Sequence, residues 1–136
     1  MYLVDTNVIS EARKGRRANP GVLKFFRSTS ATERYLSVQT IGEIRHGIEN
    51  IRRRADLTQA LRLEAWLDAV VTEYANRLLG FDVDCAQVWG RLMAPQADHP
   101  IDKQIAAIAL MYGLEVVTRN VHDFSVTGVR VLNPFA

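Results

Sequence analysis

A single cysteine, Cys85, excludes any disulfide within the chain. A fold of 136 residues can do without such a staple, because a domain of this size buries a sizeable core. A lone cysteine also fits a reducing compartment. The four prolines and eight glycines nowhere gather into a linker, repeat or low-complexity stretch, which predicts one domain over residues 1–136. No uninterrupted apolar run approaches the roughly 20 residues that span a bilayer. The opening MYLVDTNVIS carries an acid at its fifth position and lacks a basic-then-apolar leader. A soluble, cytoplasmic protein with no membrane contact is therefore expected. Charge of one sign is scarce too: the net +2 names no partner. What the chain does have, 48% hydrophobic and 24% charged residues, is the balance of a globular protein.

Short apolar runs alternate with helical patterns. Tyr2–Val4 ends abruptly at Asp5, as a buried parallel strand would. A loop or short helix follows through Thr6–Glu11, then a helix over Pro20–Arg27. Tyr35–Val38 is β-prone. Thr40 is an N-cap candidate for a helix reaching about Arg54, with Glu43 at capping-box spacing. A further helix begins near Asp56, with Leu57, Leu61, Ala65, Leu67 and Val71 at helical intervals. Leu78, Leu79 and Phe81 suggest a strand, and Asp84 can cap a helix through about Ala94. Ile101–Tyr112 carries an apolar stripe that Gly113 stops. Glu115–Thr118 and Val129–Leu132 return to β character. Strands alternating with helices, and few hairpin signals, predict an α/β fold with a parallel sheet covered on both faces.

Ligands of an open parallel sheet bind beyond the carboxyl ends of its strands. Asp5 ends the first strand, Glu43 and Asp102 lie early in helices, and Asn120 and Asp123 follow the Glu115–Thr118 strand. Four segments can thus deliver oxygen ligands to one end of one sheet. Gathered carboxylates repel one another unless protonated or neutralised by a cation. Mg²⁺ suits such a site, since it takes oxygen ligands and retains waters, and it favours phosphodiester hydrolysis. Taken singly, Glu43 and Asp102 are better explained as acids favouring a helix dipole. Asp5 is harder to explain so, because a carboxylate after a buried strand must be paired, exposed or metal-bound. Asp82 and Asp84 read as strand-exit and N-cap residues, and Asp98 as a loop residue.

The stretches holding these acids resemble the PIN-domain family, and within it the VapC- and FitB-like toxins of type II toxin–antitoxin pairs. LVDTNVISE is similar to the family's first motif, with Asp5 as its first acid. SVQTIGEIRHGI is similar to the second, with Glu43. PIDKQIAAIALMYGLEVVTRNVHDF is similar to the third block, with Asp102 as third acid and TRNVHDF carrying the fourth position. The ending VRVLNPF also resembles FitB-like members, so the likeness runs along almost the whole chain. One departure stands out: Asn120 occupies a position that is acidic in many members, and Asp123 follows three residues later. An amide can bind Mg²⁺ through oxygen but adds no charge.

The resemblance implies a PIN-like fold with a central parallel sheet flanked by helices. It also implies a Mg²⁺-dependent endoribonuclease, with Mn²⁺ able to substitute, that leaves a 5′-phosphate and a 3′-hydroxyl. Asp5, Glu43, Asp102, Asn120 and Asp123 would carry catalysis and hold the metal. Thr6 and Asn7 would lie beside it, and Thr118 would bond a ligand or substrate. The resemblance further implies an RNA substrate, a homodimer, and a cognate antitoxin whose arginine pairs with the carboxylates. DNA would be reached only through that antitoxin.

Other residues carry less. Arg13, Lys14, Arg16 and Arg17, and the run Arg52–Arg54, can track a phosphate backbone or be solvated charges. His46, His99 and His122 lack metal-ligand spacing. Cys85 reads as a small packed hydrophobe. Trp66 and Trp89 read as core or dimer contacts rather than base-stacking platforms. An aspartyl phosphatase would want D-x-D where the chain has Asp5-Thr6-Asn7, and a dinucleotide site would want G-x-G-x-x-G. The remaining alternative is a silent PIN-like module that binds RNA or an antitoxin without cutting.

Overall fold

A computed structural model describes all residues from Met1 to Ala136. Five strands form the sheet: β1 (Tyr2–Val4), β2 (Arg34–Ser37), β3 (Leu78–Leu79), β4 (Glu115–Val117) and β5 (Val131–Leu132). Their order is β3-β2-β1-β4-β5, and every pairing is parallel. β1 is therefore central, with Tyr2 in register with Arg34 on one side and Glu115 on the other. The helices are α1 (Thr6–Ala12), α2 (Pro20–Ser28), α3 (Val38–Arg53), α4 (Leu57–Glu73), α5 (Val83–Met93), α6 (Pro100–Tyr112) and α7 (Val121–Ser125). None is long and apolar enough to cross a membrane.

The period-two alternation of a strand divides the core. Val4 and Val117 face one apolar cluster with Val8, Val22, Leu36 and Ile48, contributed by α1, α2, β2 and α3. Leu3 and Val116 face the other, with Ile105, Ile108 and Phe124 from α6 and α7. Side chains this deeply buried each contribute about 1.5–3 kcal/mol, so the sheet is held from both faces, as the near-continuous apolar runs predict.

The expected strands and helices form, with shifted ends and caps. β2 is Arg34–Ser37 rather than Tyr35–Val38, and it passes into α3 without a loop. Ser37 rather than Thr40 therefore caps α3, its hydroxyl accepting from Thr40 N at 3.2 Å. Thr40 lies buried inside the helix. The expected Thr40–Glu43 capping box does not form, which leaves Glu43 free to point elsewhere. A capping box forms instead between Ser30 and Glu33. Asp82 caps α5 through Cys85 N at 2.9 Å, and Asp84 lies in its first turn. Gly113 ends α6 at φ +66°, the left-handed C-cap expected of it.

Candidate active site

Because the sheet is parallel, the exits of β1, β2 and β4 meet at one edge. Asp5 leaves β1 there and is 2% exposed. Its Oδ1 accepts from Thr6 N at 2.9 Å, which caps α1. Its Oδ2 accepts from Thr118 Oγ1 at 2.8 Å and Asn7 Nδ2 at 3.2 Å. Burial nevertheless pushes this carboxyl above the ordinary range, against those donors, and Glu43 adds to the push. Thr118 is also the acceptor for Asn120 N at 3.0 Å and Asn7 Nδ2 at 3.3 Å. Asn7 Oδ1 accepts from Arg119 N at 3.1 Å. This bond locks the turn after β4 to the first turn of α1.

Glu43 reaches the same edge from α3. Thr6 Oγ1 lies 2.6 Å from Glu43 Oε1 and 3.1 Å from Thr40 Oγ1. A hydroxyl has one proton, and the shorter contact to the ionisable acceptor takes it; the Thr40 hydroxyl can then donate to Thr6. Asp102 enters from the first turn of α6. Its pKa is pushed up to about 6, first by burial and then by repulsion from Asp5, Glu43 and Asp123. The four carboxylates therefore share one electrostatic site.

His99 stands at φ +47° just before α6. Its Nε2 is 3.6 Å from Asp123 Oδ1. One ligand atom from each of His99, Asp102 and Asp123 lies within 4.8 Å of the others. Sequence spacing missed this imidazole. Its place three residues before Asp102, one helical turn away, is the one local signal that could have found it. Asn120 sits at the N-cap position of α7, exposed, and its side chain makes no cap bond. The structure ties Asn120 to the network through its backbone.

No lysine or arginine forms an ion pair with Asp5, Glu43, Asp102 or Asp123. Lys103 follows Asp102 directly and is buried, yet its ammonium turns to Asp98 at 2.7 Å and to the Gln96 carbonyl. Several acids with oxygen donors, one of them pushed far up, and no resident cation suit a hard divalent ion. His46, by contrast, lies exposed and meets only Asn50. Cys85 is buried in the α5–α6 side of the core. Trp89 donates to the Pro100 carbonyl at 3.1 Å, which ties α5 to the start of α6.

The family model of the PIN domain matches residues 2–128. The chain belongs to the PIN domain family. Among relatives in this family, plasmid stability protein StbB of Pseudomonas syringae pv. tomato is 35% identical over 99% of both chains. VapC ribonuclease Y4jK of Sinorhizobium fredii is 32% identical, covering 99% of this chain and 98% of its own length. Toxin FitB of Neisseria gonorrhoeae is 32% identical over 99% of both. The crystal structure of FitAcB from that organism superposes with a TM-score of 0.87 at 29% identity, covering 98% of each chain. The parallel five-stranded sheet flanked by helices is thus the PIN arrangement, as the sequence motifs imply.

Proposed function

We propose that this PIN domain protein is a Mg²⁺-dependent endoribonuclease, the toxin of a type II toxin–antitoxin pair. It would act in the cytoplasm as a single-domain homodimer that a cognate antitoxin holds inactive. DNA contact would come through the antitoxin. The observation that carries the reading is the convergence of Asp5, Glu43, Asp102 and Asp123 with no lysine or arginine paired to them, where burial first and the neighbouring carboxylates second push Asp102 up to about 6. Near-complete coverage by relatives named as a ribonuclease and a toxin supports it.

Asp5, Glu43 and Asp102 would hold Mg²⁺, with Asp123 or the Asn120 amide completing the set and Mn²⁺ able to replace it. When bound, the ion makes water more acidic and offsets charge on phosphate oxygens. The chain's own groups do the rest. Thr118 and the Thr6 amide fix the Asp5 carboxylate, so that its lone pairs point at the site without a search. Thr6 holds Glu43 in the same way. Hydrolysis forms one bond from water oxygen to phosphorus and breaks the bond from phosphorus to the 3′ oxygen. It consumes one water and leaves a 5′-phosphate and a 3′-hydroxyl.

Asn120 favours a second reading, a silent module that binds without cutting, because an exposed amide stands at the position that the family resemblance assigns to an acid. One experiment separates the two. Purified, antitoxin-free protein is offered a broad RNA panel with Mg²⁺, with chelator, and as Asp102→Asn. Cleavage that needs Mg²⁺ and vanishes in Asp102→Asn is expected. No cleavage by folded, Mg²⁺-loaded protein would leave the binding module.

A further inference from the structure

We propose that an arginine-lined cleft next to the acidic site is the track for the backbone of a single-stranded RNA, with Trp66 as a platform for an unstacked base. This rests on the nuclease reading above. Thr6 and Glu43 open onto a small cavity of about 220 Å³ whose wall includes Arg13, Leu63 and Trp66. Those same three residues line a larger cleft of about 820 Å³, together with Lys14, Arg17 and Arg62. The two spaces share these three lining residues, which places the basic cleft beside Glu43.

On α3 and α4, Arg45 and Arg52 are tied to Glu49 and Glu64. Lys14 is tied to Glu11 at 2.9 Å. Arg13, Arg17 and Arg62 have no carboxylate partner. They come from the C-cap of α1, the turn after it, and α4, and converge on one cleft although Arg62 is distant in sequence. Unpaired arginines also stand elsewhere, Arg53 and Arg54 among them, and what distinguishes those of this cleft is their place beside Glu43. A polyanion entering an acidic site is repelled there and needs free cations alongside. These three guanidiniums can supply that attraction. Arg13 lies 5.8 Å from the Trp66 ring centroid. A half-buried indole beside a free guanidinium is the pairing that single-stranded nucleic acids use, a flat face for a base and a fork for its phosphate. Trp66 packs against the core cluster, as its sequence neighbours predict, and its exposed part lines both the Glu43 cavity and the arginine cleft.

The test measures binding of a short, labelled single-stranded RNA by fluorescence anisotropy, in Mg²⁺, across a salt series. Asp102→Asn serves as the non-cleaving parent. Arg17→Ala and Arg62→Ala, both at exposed positions, are added singly and together. Each lost phosphate contact should lower the slope of log K against log salt by about 0.7. The pair should weaken binding by at least tenfold, while Arg45→Ala, a paired arginine outside the cleft, changes neither slope nor affinity. Trp66→Leu should weaken binding at every salt with the slope intact. Unchanged RNA affinity and slope in the double variant, with Mg²⁺-dependent cleavage by the wild type intact, would overturn the track and leave the nuclease standing. Unchanged RNA binding with lost binding of a short oligoglutamate peptide would overturn it too and give the cleft to an acidic protein segment. A wild type that neither binds nor cuts RNA would remove both readings together.

Discussion

Replacing Asp102 by Asn should make the metal-free protein more stable at neutral pH, although it removes a residue proposed as essential. Asp102 moves from its ordinary 3.8 to about 6 on folding. The sign follows from which state holds the proton. Below 3.8 both states are protonated and the shift contributes nothing. As pH rises towards 6 the unfolded carboxyl ionises freely while the folded one resists, so stability falls. Above about 6 the penalty is complete. At about 1.4 kcal/mol per tenfold change in proton affinity, the full figure would be about 3 kcal/mol. Asp102 is only half-buried, and solvent screening reduces this to about 1–2 kcal/mol. For a chain of this length each kcal/mol moves Tm by about 3–5 °C. In chelator, Asp102→Asn should therefore melt several degrees above the wild type at pH 8 and close to it at pH 4. Calorimetry or near-ultraviolet circular dichroism across that range reads both. Mg²⁺ should then narrow or reverse the gap, because a ligand at 100 times its Kd stabilises the wild type by about 2.7 kcal/mol. A variant no more stable than the wild type at pH 8, or a difference independent of pH, would refute the idea that burial and neighbouring carboxylates strain this site.

Two other substitutions address positioning and packing. Thr6→Val removes the hydroxyl that holds Glu43 at 2.6 Å while keeping its volume. RNA cleavage should fall at least tenfold with a stability loss of about 1 kcal/mol, and Thr6→Ser should restore most of the rate; equal rates in kinetic assays of all three would remove Thr6 from the site. Gly21→Ala would put a Cβ 2.0 Å from the Pro134 carbonyl oxygen and 2.8 Å from Ala136 N. The helix gains an alanine, yet the backbone behind it must move, and a net loss of about 1–3 kcal/mol is expected in urea denaturation; a net gain would mean that the 133–136 segment does not pack on α2.

Where a signal is local, the sequence displays it. Asp5 stops an apolar run, and Gly113 follows a helical stripe; both stand where the pattern puts them. Choices between neighbours are not legible in this way. Ser37 and Thr40 are both good caps, and only the direct passage of β2 into α3 selects Ser37. Long-range partners leave no local trace. Thr6 meets Glu43 across 37 residues, and His99 meets Asp123 only because α6 and α7 pack together. The Arg13–Arg17 cluster is visible as a run of charge. Its union with Arg62 and Trp66, and the lack of carboxylate partners at Arg13, Arg17 and Arg62, belong to the tertiary fold.

The order β3-β2-β1-β4-β5 also sets when the protein can act. β1, first along the sequence, is innermost and cannot be finished until β4 exists to pair with it. Asp5 waits for the Thr118 hydroxyl 113 residues away, and Asp102 and Asp123 come late as well. Closing so long a loop is slow compared with forming a local helix. A growing chain on the ribosome therefore carries its first acid early and its acidic centre only after Thr118 and Asp123 have been made. For an enzyme whose proposed substrate is RNA, the carboxylates would not stand together to cut until those later segments have folded.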